Sequence, residues 1–186
     1  MKISPKNIEG CFTLKMRHFK DLRGMNVELF NSKENDVNFK IEQVNVSLSN
    51  RNVIRGLHYS VGPHYQDMIV TCLSGAIRDV LVDIRIGSPT FGRILDFELD
   101  GNSEIGLFVP SGVAHGYLVK EDQTLIHYLL SKNYNPKFEY TINPLNSGFK
   151  IKWEVDDPIL SEKDRIAVDF AQAKALDMLP QFIGIL

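Results

Sequence analysis

The sequence predicts an all-β fold, a sandwich, jelly roll or barrel, closed by a short C-terminal helix. Two observations carry it: Val/Ile/Leu-rich segments punctuated by turn residues through the middle of the chain, and helical spacing confined to its end. The strand segments, in order, are DMIVTCLSG, AIRDVLVDIRI, GRILDFELD, EIGLFVPSG and TLIHYLLSKNY, with turns at LSGA and LDGNSE. Within the second, Val80, Val82, Ile84 and Ile86 alternate with Leu81, Asp83 and Arg85, the pattern of a half-buried strand. A helix is expected over about residues 161–179, where Ile166, Phe170 and Ala173 stand near helical spacing and Ser161 with Asp164 resembles a capping box. No repeat, low-complexity tract or linker interrupts the 186 residues, so one domain over 1–186 is expected.

Composition narrows the class of function. A net charge of −2 without blocks of like charge gives no electrostatic case for nucleic acid. The opening MKISPKNIEGCF has no apolar signal core, and no stretch approaches the ~20 apolar residues of a membrane span. Cys11 and Cys72 lie far apart and form no CxxC, which argues against zinc or a disulfide framework. A cytoplasmic protein without membrane attachment is the expectation.

The chemistry concentrates in a few motifs. VIRGLHYS, residues 53–60, sets Arg55 and His58 three residues apart among apolar neighbours. His115 ends PSGVAH, where Pro110 and Gly112 make a turn that aims the residues after it. On inward faces of a small barrel these imidazoles would line its mouth, a common ligand site; bonded to loop carbonyls they would be structural. PSGVAH also fits the Pro-x-Gly-x-x-His motif of metal-binding cupins. The companion motif wants two histidines one residue apart. Here Tyr59 and Ser60 follow His58, and His64 comes six positions on, about 20 Å along an extended strand. The metal signal is therefore weak. Arg23 in DLRG and Arg55 suit a phosphate through a bidentate fork, and Gln43 and Asn45 share one strand face.

Together DLRG, QVNVSLSNRNVIRGLHYS, DVLVDIRIGSPTFG, VPSGVAHGY and LSEKD, in this order, resemble the dTDP-4-dehydrorhamnose 3,5-epimerase family over most of the chain. The resemblance implies a cupin-type jelly roll working without metal or other cofactor, as a homodimer whose strands cross between subunits. It implies proton transfer at C3 and C5 of a nucleoside-diphospho-4-keto-6-deoxyhexose, whose hydrogens are acidified by the C4 ketone. His58 resembles the family's base, Asp164 its carboxylate partner and Tyr128 its proton donor. Arg23, Glu28, Gln43, Asn45, Arg55, His115, Glu139 and Lys163 match positions that contact the nucleotide sugar. Arg23 and Arg55 suit the diphosphate, and Tyr134 lies near the aromatic that packs on the base. A 3,4-ketoisomerase of a similar sugar and a non-catalytic sugar-nucleotide-binding module are the competing readings.

The chain departs from the family pattern at several places. Met68 stands where the family has a lysine expected to stabilise the enolate oxygen. Met25, Asn26 and Val27 replace an aromatic pair that holds thymine, so weakened thymidine binding is expected. Ser60 replaces a glutamine, and PLNSG stands where the family has NDP.

Overall fold

In the computed structural model, which describes residues 3–5, 7–33 and 37–184, two antiparallel sheets face one another as a jelly roll. Strands β1 (Ile3–Pro5), β2 (Phe12–Lys15), β5 (Gln43–Ser49), β7 (Met68–Ser74), β10 (Ile105–Val109) and β12 (Thr124–Leu130) form one sheet, in the order β1-β2-β10-β7-β12-β5. The other comprises β6 (Ile54–Ser60), β8 (Ala76–Asp83), β9 (Ile94–Asp100), β11 (Val113–Val119) and β13 (Glu139–Thr141), in the order β13-β6-β11-β8-β9. A hairpin of β3 (Arg17–Asp21) and β4 (Gly24–Glu28) is a separate two-stranded sheet.

The five strand segments read from the sequence are β7, β8, β9, β10 and β12. The half-buried pattern expected of β8 does not hold. Val80 and Val82 lie in the core behind the five-stranded sheet, while Ile77 and Leu81 lie between the sheets, and Asp79 and Asp83 are buried too. The cause is coverage. Trp153, Ala173, Leu179 and Ile142 from the C-terminal third pack over the back of that sheet, so both faces of β8 are dry. Asp83 is tolerated there because Arg85, Ser88 and Thr90 all donate to its carboxylate.

The C-terminal helix is two short helices, α1 (Glu162–Arg165) and α2 (Phe170–Ala175). Asp169 ends the interruption: it is the N-cap of α2 and makes a complete capping box with Gln172. Ser161 accepts from the Asp164 amide at 3.1 Å, but the reciprocal half of that box is not made, because the Asp164 carboxylate is turned toward His58.

Candidate active site

Residues 54–60 of VIRGLHYS form the strand β6. At Gly56 β6 passes close against β11. The glycine's φ is +102°, and a Cβ there would come within 2.4 Å of the His115 carbonyl oxygen, so only glycine fits. The register between the two strands shifts here, leaving His58 opposite His115 and Arg55 opposite Tyr117. Directly opposed residues hold their Cβ atoms about 4.5–5.5 Å apart. The two imidazoles are thus side-by-side neighbours on the inner face.

Each histidine is bonded to a carboxylate. His58 Nε2 lies 2.7 Å from Asp164 Oδ1, and His115 Nε2 lies 2.7 Å from Asp79 Oδ2. Their access differs: the His58 side chain is 34% exposed and that of His115 6%. Burial pushes the Asp164 carboxyl up, but the hydrogen bond and charge of His58, aided by Ser161 and the Gly56 amide, hold it below the usual carboxylate value on balance. An ionised, buried carboxylate fixes the imidazole's orientation and stabilises its protonated form.

The opposite sheet contributes Tyr128, from the inner face of β12. Its phenol donates to the Tyr117 hydroxyl at 2.7 Å, and Ser47 Oγ stands 3.0 Å from Tyr117 Oη and 3.4 Å from Tyr128 Oη. Burial pushes the Tyr128 phenol well above its usual value, Tyr117 adds to this, and Ser47 and the Arg55 guanidinium draw it back. Tyr128 therefore carries its proton at neutral pH. Arg55 Nε and Nη2 donate to Ser49 Oγ at 3.2 and 3.0 Å, which holds the guanidinium beside this phenol pair.

Other candidates gather in two groups. Gln43 Nε2 donates to Asn45 Oδ1 at 2.9 Å, and the Tyr134 amide donates to Gln43 Oε1 at 2.7 Å, so these three meet at the end of β5. Lys163 and Glu139 pair at 3.1 Å, Lys163 beside Asp164 and Glu139 on the strand flanking β6. Arg23 and Glu28 are not brought to either group. Both lie on the β3–β4 hairpin, where Arg23 is held by Asp21 and Glu28 lines an open groove of about 630 Å³ with Phe30, Asn31 and Phe39. A second cavity, about 490 Å³, is lined by Tyr65, Asp67, Arg85 and Lys132 and by none of the candidate residues.

Met68 packs against the core between the sheets, opposite Leu130 and Val109, so no cation occupies that position. His64 bonds the Asn133 carbonyl at 2.6 Å and does not join His58. Among the described residues, no group of three or more His, Cys, Asp or Glu side chains is placed to hold a metal ion.

Sequence reasoning missed Asp79, Tyr117, Ser47 and Ser49. Asp79 had a signal, a carboxylate between Ile77 and Leu81 on the core face of a strand. For the serines it was the alternation in QVNVSLS. Gln43, Asn45, Ser47 and Ser49 point one way and Val44, Val46 and Leu48 the other, and it is the polar side that faces inward. The three apolar residues are 54–57% exposed. A strand with its polar face inward lines a wet site, not a core.

Comparison with known proteins agrees with this architecture. The model of the family described as dTDP-4-dehydrorhamnose 3,5-epimerase matches residues 5–172. A dTDP-4-dehydro-6-deoxyglucose 3-epimerase of a Streptomyces species is 35% identical over 183 residues, 96% of this chain and 93% of the relative. The dTDP-4-dehydrorhamnose 3,5-epimerase of Mycobacterium tuberculosis (strain H37Rv) is 41% identical over 145 residues, 76% of this chain and 72% of the relative. Among solved structures, a 4-keto-6-deoxy sugar epimerase from the novobiocin cluster of Streptomyces spheroides superposes with a TM-score of 0.91 at 32% identity, covering 98% of this chain and 94% of its own. A 3'-monoepimerase of Streptomyces bikiniensis in complex with dTDP-quinovose gives 0.89 at 35% identity, covering 95% and 92%. With its fold, its histidine–carboxylate pairs and a family match over most of its length, the chain belongs to the dTDP-4-dehydrorhamnose 3,5-epimerase family, a family of isomerases.

Proposed function

We propose that the chain epimerises a dTDP-linked 4-keto-6-deoxyhexose by proton transfer between side chains, with His58 as base and Tyr128 as acid. One observation carries the reading: His58, half-open and bonded to the buried Asp164 carboxylate, lies on one sheet, and Tyr128, whose phenol burial holds well above its usual value, lies on the other. The ketone at C4 acidifies the hydrogens at C3 and C5. His58 removes one, Asp164 stabilises the imidazolium, and Tyr128 returns a proton from the other side of the enolate plane. Arg55 places positive charge beside the phenol pair, a second use for a residue first read as a diphosphate ligand. Gln43, Asn45, His115, Tyr134, Glu139 and Lys163 surround the sugar nucleotide. The names of the relatives support the dTDP-sugar substrate, and the Streptomyces bikiniensis enzyme has also been solved, with dTDP bound, as a double variant in which a histidine and a tyrosine are replaced.

The assembly we propose is a homodimer. Among the described residues the β3–β4 hairpin pairs with no other strand; it exposes Phe19, Leu22 and Met25, and the outer face of β5 exposes Val44, Val46 and Leu48. A second copy covering these surfaces would carry Arg23 and Glu28 toward a site in its neighbour, where Met25, Asn26 and Val27 give thymine a looser hold than an aromatic clamp. A cytoplasmic setting fits a sugar-nucleotide enzyme, and no described helix is long and apolar enough to cross a membrane.

Incubation with dTDP-4-keto-6-deoxyglucose in deuterated water tests the reading. Solvent deuterium should enter at C3 with inversion, and label at C5 decides whether the second carbon inverts as well. No label at either carbon would overturn it.

A further inference from the structure

Tyr117 has no role in the proton transfers above, yet it is 2% exposed and its hydroxyl is buried between the sheets. A buried hydroxyl is costly unless it is bonded. This one is bonded to the proposed acid, with Oη 2.7 Å from Tyr128 Oη and 3.0 Å from Ser47 Oγ. Ser47 lies on the facing sheet, so the three hydroxyls form a chain across the sandwich from β5 to β11 to β12.

We propose that Tyr117 is a positioning residue that stabilises the phenolate formed on Tyr128, with Ser47 as the donor behind it. The proposal rests on the epimerase reading. When the enolate is reprotonated, its C=C electron pair forms the new C–H bond and the ketone C=O is restored. The Tyr128 O–H bond breaks, and the negative charge moves to Tyr128 Oη. In the resting state Tyr128 donates to Tyr117. A phenolic hydrogen rotates about its C–O bond, so the same 2.7 Å contact then serves in reverse, Tyr117 donating to the new anion and Ser47 to Tyr117. Burial opposes ionisation of Tyr128, and so does Tyr117 in the resting arrangement, where it only accepts; with its hydrogen turned toward Tyr128 the same contact favours the anion. The imidazolium left on His58 returns its proton to solvent, and solvent restores the phenol.

The proposal separates two rates. Removal of the substrate proton by His58 does not involve Tyr117, whereas delivery by Tyr128 does. In deuterated water with dTDP-4-keto-6-deoxyglucose, Tyr117→Phe should slow inversion by about tenfold or more, the worth of one hydrogen bond to a charged group. Its exchange of solvent deuterium into unreacted substrate should stay within about twofold of wild type, with KM unchanged. Ser47→Ala should give the same selective loss at smaller size. Inversion at the wild-type rate in Tyr117→Phe, or exchange and inversion falling in step in either variant, would overturn the proposal and leave the epimerase reading standing. A wild-type enzyme that neither exchanges nor inverts would overturn both.

Discussion

The two histidine–carboxylate pairs are alike in chemistry and neighbours in space, and they differ in one respect. Both bonds measure 2.7 Å, both carboxylates are buried, and the histidines face one another across adjacent strands. The His58 ring is open to the site on one side, whereas His115 and Asp79 are closed in by the core between the sheets. A catalytic base must reach substrate and exchange its proton with solvent. A residue that holds a strand and orients a ligand needs neither. Under the proposed function, the difference favours proton transfer at the open pair and positioning at the closed one, although pairing alone would rank them equal.

Substitution should separate the pairs in activity and in stability. The largest effect falls on the open pair. Asp164→Asn keeps the shape of the side chain but removes the charge that balances the imidazolium, and should cost about 10²–10⁴ in kcat with a smaller change in KM. Steady-state assay checks this. The same substitution has a pH signature. The Asp164 carboxyl lies below its ordinary value of about 3.9, so its contribution to stability is complete above about pH 4 and is lost as pH falls through the lowered folded value. The stability gap between wild type and Asp164→Asn, measured by urea unfolding, should be present at pH 5 and close well below pH 4.

The closed pair should respond in reverse. His115→Asn leaves Asp79 buried without its partner and should cost about 3 kcal/mol of stability, with a loss of turnover smaller than that of Asp164→Asn. Urea denaturation and the same assay give both numbers, and a larger activity loss than in Asp164→Asn would reverse the assignment. The smallest effect leaves both pairs alone. Met68→Lys returns a cation to the inner face of β7 and should raise kcat without changing KM, by less than the ~10² that a preorganised donor is worth, because the ammonium is partly desolvated by Leu130 and Val109.

What could be read from the sequence follows from how local the cause was. Strands β7, β8, β9, β10 and β12 were legible because each combines β-branched and aliphatic runs with turn residues at its ends. Motif spacing brought His58, Tyr128 and Asp164 into view through resemblance, although they come from strands in two sheets and a helix 106 residues along the chain from His58. Burial of β8 on both faces was not legible, since it depends on Trp153 and Leu179 folding back over the sheet from far along the chain. The division of the last helix was hidden for a similar reason. A helical pattern through Ile166 is locally consistent, but Asp164 is claimed by His58 and Asp169 starts a new cap. Tyr117 carried no signal in the sequence, because its partner Ser47 comes from the facing sheet, 70 residues away in the chain.

The central claim is that protons leave and return on opposite sides of the sugar, through His58 from one sheet and Tyr128 from the other. Tyr128→Phe in deuterated water tests it most directly, with mass spectrometry reading the label and proton couplings reading the configuration. With the base intact and the phenolic proton gone, the enolate can be reprotonated only by His58, from the side it was formed on. The account predicts deuterium at the reacting carbon with configuration retained in Tyr128→Phe, and neither exchange nor inversion in His58→Asn. Inversion at the wild-type rate in Tyr128→Phe, or exchange surviving in His58→Asn, would contradict it.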